Sequence, residues 1–386
     1  VAQTTSDIHK AGMITDFDDY CIHQTAQPVS EPAQSDRNFY DRYWFAGFDS
    51  DASYLFEVGF GLYPNRRVMD GHFSVSIGDR QLAFHASRRA PKERGETRVG
   101  PLTIEVVEPM RQIRVRLEPN EQAIECDLLF TAASVPHQEP ANVMHDDGHL
   151  IMHNSRFTQM GYWQGYFAVD GKRQEVSRAF GTRDKSWGVR PVGEPQGGAP
   201  GLLNAEPGVY WVWSPLNFGD VSTQFGTFED RDGHATQVSA DLVPLYDDPS
   251  AIPRPEEPGL VKMAAITHRL RWCPGTRRAS AGEFHFVDKR GERYDIEVQA
   301  TGRIFYTLGV GYNHADWGHA VWKGELVTGR EEWDLAEVQP LEYQFLHTHQ
   351  VVTATLGERK GIGILESIVI GRHDPSGFRD FFDGAE

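Results

Sequence analysis

Cysteine is scarce: three residues, Cys21, Cys126 and Cys273, in a chain of 386. An odd, widely spaced set builds neither a disulfide framework nor the spacing of a zinc site, and reads as reduced thiols. Basic charge is short as well. Lys plus Arg is 38 against 55 for Asp plus Glu, a formal charge of −17. Such a surface repels phosphate backbones and anionic lipid, so nucleic acid is set aside as a partner. No apolar run approaches the roughly 18 residues of a membrane span. There is no Walker loop, no G-x-G-x-x-G opening a βαβ unit, no G-x-S-x-G elbow and no H-E-x-x-H. These absences argue against nucleotide-dependent enzymes, α/β-hydrolases and zincin proteases. The stretch Val1–Tyr20 lacks the basic-then-apolar pattern of a leader, which makes a cytoplasmic location the expectation.

Aromatics, glycine and proline are plentiful: 22 Phe, 13 Tyr, 9 Trp, 38 Gly and 22 Pro. Many turns and many aromatics favour sheet over helix bundles. The pattern agrees. Phe73, Val75 and Ile77 alternate with Ser74 and Ser76. Ile113, Val115 and Leu117 alternate with Arg114 and Arg116, and Tyr294, Ile296 and Val298 with Asp295, Glu297 and Gln299. A period of two with one polar face marks antiparallel sheet. Asp70-Gly71, Asp147-Gly148, Asp170-Gly171, Asp232-Gly233 and Arg290-Gly291 read as turns between strands. The Gly/Pro-rich stretch Val192–Gly201 divides the chain nearly in half, and a second loop runs over Tyr246–Gly259. The expectation is an all-β chain. Residues 1–37 form an extended arm, and two barrel- or sandwich-sized domains follow at 38–200 and 201–386.

Chemistry concentrates in Gly181–Arg190, where Arg183, Asp184, Lys185 and Arg190 surround Trp187. On an extended chain Asp184 and Arg183 face opposite ways, so Asp184 is free to enter a pocket while Arg183 points outward. The alternative is that Asp184 pairs with Arg190 or caps a turn. A second patch, Gly309–Trp322, sets His314, Asp316 and His319 among Tyr312, Trp317 and Trp322. His314 is suited to relay a proton or orient water; alternatively Asn313 and Asp316 hold a turn. His347 and His349 share a face on a strand. His145, His149 and His153 are spaced for a helix but are interrupted by Asp146-Asp147-Gly148. Both sets read as solvated or core-edge imidazoles, so no metal is expected.

The block Gly181, Arg183-Asp184, Ser186-Trp187-Gly188 and Arg190 resembles the AttH-like, carotenoid-1,2-hydratase superfamily of lipocalin-like tandem β-barrel proteins. The upstream Val169-Asp170-Gly171 hairpin, Gln159, Gly61–Gly71 and Gly311–Gly324 fit as well, so the resemblance touches residues 38–370. It implies two lipocalin-like barrels in tandem. It also implies an acid that protonates an alkene, at the position of Asp184, with nearby aromatics at the approximate positions of Trp163 and Tyr166. The tyrosine those enzymes carry two residues before the acid is Thr182 here.

Physics supports such a use of Asp184. A carboxyl in an apolar pocket has a raised pKa, and aromatic faces stabilise a developing cation. The reading is therefore a cofactor-free hydratase or dehydratase, a lyase, acting on a hydrophobic small molecule such as a terpenoid, steroid or prenylated aromatic. Asp184 and His314 are the candidate catalytic residues. Trp163, Tyr166, Trp187, Arg190, Trp213, Tyr312 and Trp317 are the candidate substrate contacts. An isomerase or pericyclase, and a non-catalytic carrier of hydrophobic ligands, are the alternatives. A homodimer is compatible with the sequence.

Overall fold

The computed structural model describes residues 14–146, 148–192, 208–254 and 259–386. Most of the Val192–Gly201 break, the Asp147 side of its turn and the start of the N-terminal arm lie outside them. The first half builds β1 (Phe39–Phe48), β2 (Tyr54–Tyr63), β3 (Val68–Ile77), β4 (Arg80–Arg89), β5 (Arg98–Val99) and β6 (Leu102–Glu108). It continues with β7 (Gln112–Leu117), β8 (Ile124–Ala132), β9 (His137–Gln138), β10 (Asn142–Asp146), β11 (His149–Val169) and β12 (Lys172–Val189). The second half builds β13 (Val209–Asn217), β14 (Val221–Glu229), β15 (Ala235–Pro244), β16 (Val261–Trp272) and β17 (Ala279–Asp288). It ends with β18 (Arg293–Tyr306), β19 (Leu326–Asp334), β20 (His347–Leu356) and β21 (Arg359–Ile370).

The architecture is all-β, as the alternation requires. One antiparallel sheet runs β19-β4-β3-β2-β1-β12-β11-β8-β7-β6-β5 and curls into a nearly closed barrel. β13 to β18, β20 and β21 close a second, eight-stranded barrel. β19 comes from the second half of the sequence yet pairs with β4, Gly329 opposite His85, and ties the later chain to the first sheet. Among the described residues no helix is long and apolar enough to cross a membrane.

The three alternating segments do what their pattern demands. Phe73, Val75, Ile113, Val115 and Leu117 fill the first barrel, and Ile296 and Val298 fill the second. Asp170-Gly171 is the tight turn between β11 and β12, with φ of +52° and +74°. That left-handed backbone favours glycine at the second position. Asp70-Gly71 is not a turn. Both residues lie inside β3, where Asp70 is buried and accepts hydrogen bonds from the Ala320 N–H (2.7 Å) and the Tyr63 hydroxyl (3.3 Å). Gly71 is there because Leu102 packs where its Cβ would stand, 2.8 Å away.

The barrels meet across one face of the first sheet. On β1, Phe45 turns into the first barrel, while Trp44, Ala46 and Phe48 turn out to pack with Trp211, Trp213, Phe305 and Ile364 of the second half.

Candidate active site

Register places Asp184 on that shared face. Asp184 pairs with Trp44 on one side and Thr158 on the other. Directly opposed residues in a sheet project together, so these three form a row between the barrels. Arg42, Ser186 and Arg156 form the neighbouring row. Arg183 takes the other face. It points into the first barrel rather than outward, is 3% exposed, and donates two hydrogen bonds to Gln159 Oε1, at 2.8 and 2.6 Å. Alternation alone shows that the two residues diverge. It does not say which face is the interior.

Asp184 is half-buried, and its carboxyl has no hydrogen bond or ion pair among the described residues. Burial pushes its pKa up to about 6 against the pull of Arg156, and the Glu139 carboxylate adds to the rise. It neither pairs with Arg190 nor caps a turn. Its surroundings are held elsewhere. Buried Glu139 accepts from Arg156 Nε (3.1 Å) and Nη2, from Thr158 Oγ1 (2.5 Å), and from Trp213 Nε1 (3.3 Å) and Gln224 Nε2 (3.4 Å) of the second barrel. The Arg156 guanidinium lies over the rings of Trp211 and Trp213, 5.0 and 5.5 Å from their centroids. Trp213 meets Trp44 edge-on at 5.6 Å.

A second buried carboxylate, Glu57, accepts from Trp44 Nε1 (3.0 Å) and His349 Nδ1 (2.5 Å). On the far side of His349 lies Glu366, which binds His347 Nε2 at 2.6 Å. Burial opposes a charge on His349, yet the flanking Glu57 and Glu366 carboxylates raise its pKa to about 10. His347 and His349 are thus buried and partnered, not solvated. Further along the face, Tyr312 accepts from Arg42 Nη1 (3.2 Å), and Arg190 lies over Tyr312 and Tyr40.

The structure gathers only some of the residues singled out in the sequence. Asp184, Trp213, Arg190 and Tyr312 share the interdomain face. Trp163 does not reach it; the ring is fully buried among Phe45, Phe56 and Phe130 and donates to Ala46 O at 2.8 Å. Tyr166 lies half-buried beneath Arg173. Trp187 is 39% exposed and lines a cavity of about 300 Å³ with Met110, Phe157 and Lys262. His314 and Trp317 sit beside β4 and β19, where His314 bonds Glu331 (2.5 Å) and Trp317 stacks on His85. Glu57, Glu139, Glu366, Trp44, Arg42 and Arg156 were not singled out. Glu57 carried a signal, being a lone acid in the apolar run YLFEVGFGLY.

Residues 14–379 match the model of a family of unknown function, DUF8625, and the chain belongs to that family. No curated protein matches it. Among solved structures it is similar to an AttH protein of Nitrosomonas europaea, at 12% identity and a TM-score of 0.51, over 86% of this chain and 92% of that one. It is also similar to kievitone hydratase of Nectria haematococca (12% identity, TM-score 0.47, 88% and 91% covered) and to CghA (11%, 0.46, 86% and 88%). The resemblance read from Gly181–Arg190 is matched at the level of the fold.

Proposed function

We propose that this DUF8625 protein is an enzyme that adds water to, or removes it from, a hydrophobic small molecule between its two barrels, with Asp184 as the proton donor. One observation carries the reading: a partner-free carboxyl on the shared face, half-buried, with its pKa raised to about 6. A group poised near neutrality supplies both the acid and its conjugate base. The resemblance of Gly181–Arg190 to the carotenoid-hydratase superfamily supports the same assignment.

In the hydration direction the Asp184 carboxyl gives its proton to one alkene carbon, and the adjacent carbon becomes cationic. Trp44 stands beside Asp184 in its row, and a ring face turned to a desolvated cation is worth on the order of 2 kcal/mol; Trp213, buried beneath Arg156, packs against Trp44. Water adds to the cation and releases a proton, which returns to the Asp184 carboxylate. Dehydration is the reverse: Asp184 protonates a tertiary hydroxyl, water leaves, and the carboxylate takes the neighbouring proton.

The test is incubation with terpenoid and prenylated-aromatic alkenes and alcohols in ¹⁸O-water, followed by mass analysis. A labelled water adduct or a dehydrated product is expected, with Asp184→Asn slower by about 10²–10⁴-fold. A product of unchanged mass formed equally fast by Asp184→Asn would assign a pericyclase. Unaltered ligand recovered one to one with the chain would assign a carrier. Either result overturns the proposal.

A further inference from the structure

Two residues apart on β20, His347 and His349 project from one face, and the register with β21 sets Glu366 directly opposite His349. Glu366 Oε1 is 2.6 Å from His347 Nε2 and 3.4 Å from His349 Nε2. The three groups offer ligand atoms that all lie within 4.8 Å of one another. Tetrahedral ligands at zinc distances of about 2.0–2.1 Å stand about 3.3 Å apart. The spacing of His349 from Glu366 already fits, and the contact to His347 needs to open by under about 1 Å.

The tautomer points the same way. Glu57 binds His349 Nδ1 at 2.5 Å, which fixes a proton on Nδ1. His349 Nε2 is buried and makes no hydrogen bond. A carboxylate behind one imidazole nitrogen and a second carboxylate in front of the other is the arrangement by which histidines are oriented onto metal ions. Ligation takes neutral imidazoles, so His347 and His349 with the carboxylates of Glu57 and Glu366 bring two negative charges, which a dication balances.

The other clusters fail this reasoning. At His85, His314 and Glu331, His314 Nδ1 accepts the backbone N–H groups of Asp316 (3.0 Å) and Trp317 (2.9 Å). Its proton therefore sits on Nε2, the nitrogen that would have to ligate. At Asp230, Asp232 and His234, Asp230 Oδ1 is occupied by the N–H groups of Asp232 and His234 in an exposed turn.

We infer that His347, His349 and Glu366 bind one divalent transition-metal ion of the zinc, cobalt or iron class, with Glu57 as the residue that positions His349. Mixed imidazole and carboxylate ligands suit these ions. Three protein ligands leave the fourth position of a tetrahedral ion for water. The site goes beyond the role of Asp184, and either assignment can fail without the other.

The full chain is stripped with a chelator, dialysed against zinc and assayed for metal, and in parallel loaded with Co²⁺ and read in the visible. About one ion per chain is expected, with the intense d–d bands of four- or five-coordinate cobalt. His349→Ala should lose both, Glu57→Gln should bind about 10–100-fold more weakly, and Asp184→Asn should bind as the parent chain does. Substoichiometric zinc, a cobalt spectrum like that of the hexahydrate, or full retention by His349→Ala overturns the site. Should His349→Ala not fold, the cobalt spectrum of the parent chain decides alone.

Discussion

Replacing Asp184 with Asn should make the protein more stable, and by an amount that depends on pH. The Asp184 pKa rises from 3.8 to about 6 on folding, because burial disfavours the ionised form. The folded state therefore holds this proton more tightly than the unfolded chain. The stability linked to it is fully present below the unfolded pKa, and is lost as pH rises through about 6. A shift of about two units corresponds to about 3 kcal/mol, reached near pH 8; near pH 5 the penalty is about half that. Asn has the same shape and no charge to desolvate, so Asp184→Asn should gain about 3 kcal/mol near pH 8 and about 1–2 kcal/mol near pH 5. Urea denaturation of both proteins at the two pH values measures this. A gain equal at both, or a loss near pH 8, would refute the reasoning, since either means that the carboxylate is well solvated or well paired in the fold.

Further outcomes follow from the same geometry. Turnover should decline as pH rises through about 6, since the acid form of Asp184 does the work; a pH–rate profile with no such limb contradicts the assignment. Glu139→Ala should destabilise by about 3 kcal/mol in urea, because it strands the half-buried Arg156 charge and unlinks Trp213 and Gln224 from the first sheet. Trp163→Ala should cost about 3–5 kcal/mol of stability, measured the same way, yet leave ligand affinity of the folded fraction unchanged, because Trp163 is core.

The fold was legible where local pattern decides it. Alternation in β3, β7 and β18 gave both strand and face, and Asp170-Gly171 gave a turn whose left-handed backbone needs those residues. The same dipeptide logic misplaces Asp70-Gly71, because in β3 Gly is selected by Leu102 pressing on the sheet and Asp by a hydrogen bond from Ala320, 250 residues away. Nothing local in Leu326–Asp334 announces that it pairs with β4. The site was half legible for similar reasons. The Asp184 motif and the shared face of His347 and His349 are short-range features. Their partners are not: Glu366 is matched to His349 only by the register of β20 and β21, and Glu57 reaches His349 from the other barrel. Trp163 entered the site through the family resemblance, at an approximate position, although an odd number of residues separates it from the interface-facing positions 158 and 160 on β11.

The proposed chemistry needs a carboxyl at position 184 that keeps its proton close to neutrality. Carbon-13 NMR of aspartate-labelled protein, with the signal assigned by its disappearance in Asp184→Asn, reads that proton directly. A titration midpoint near 6 is the predicted result. A midpoint at or below about 4, the range of a solvated aspartate, would contradict it.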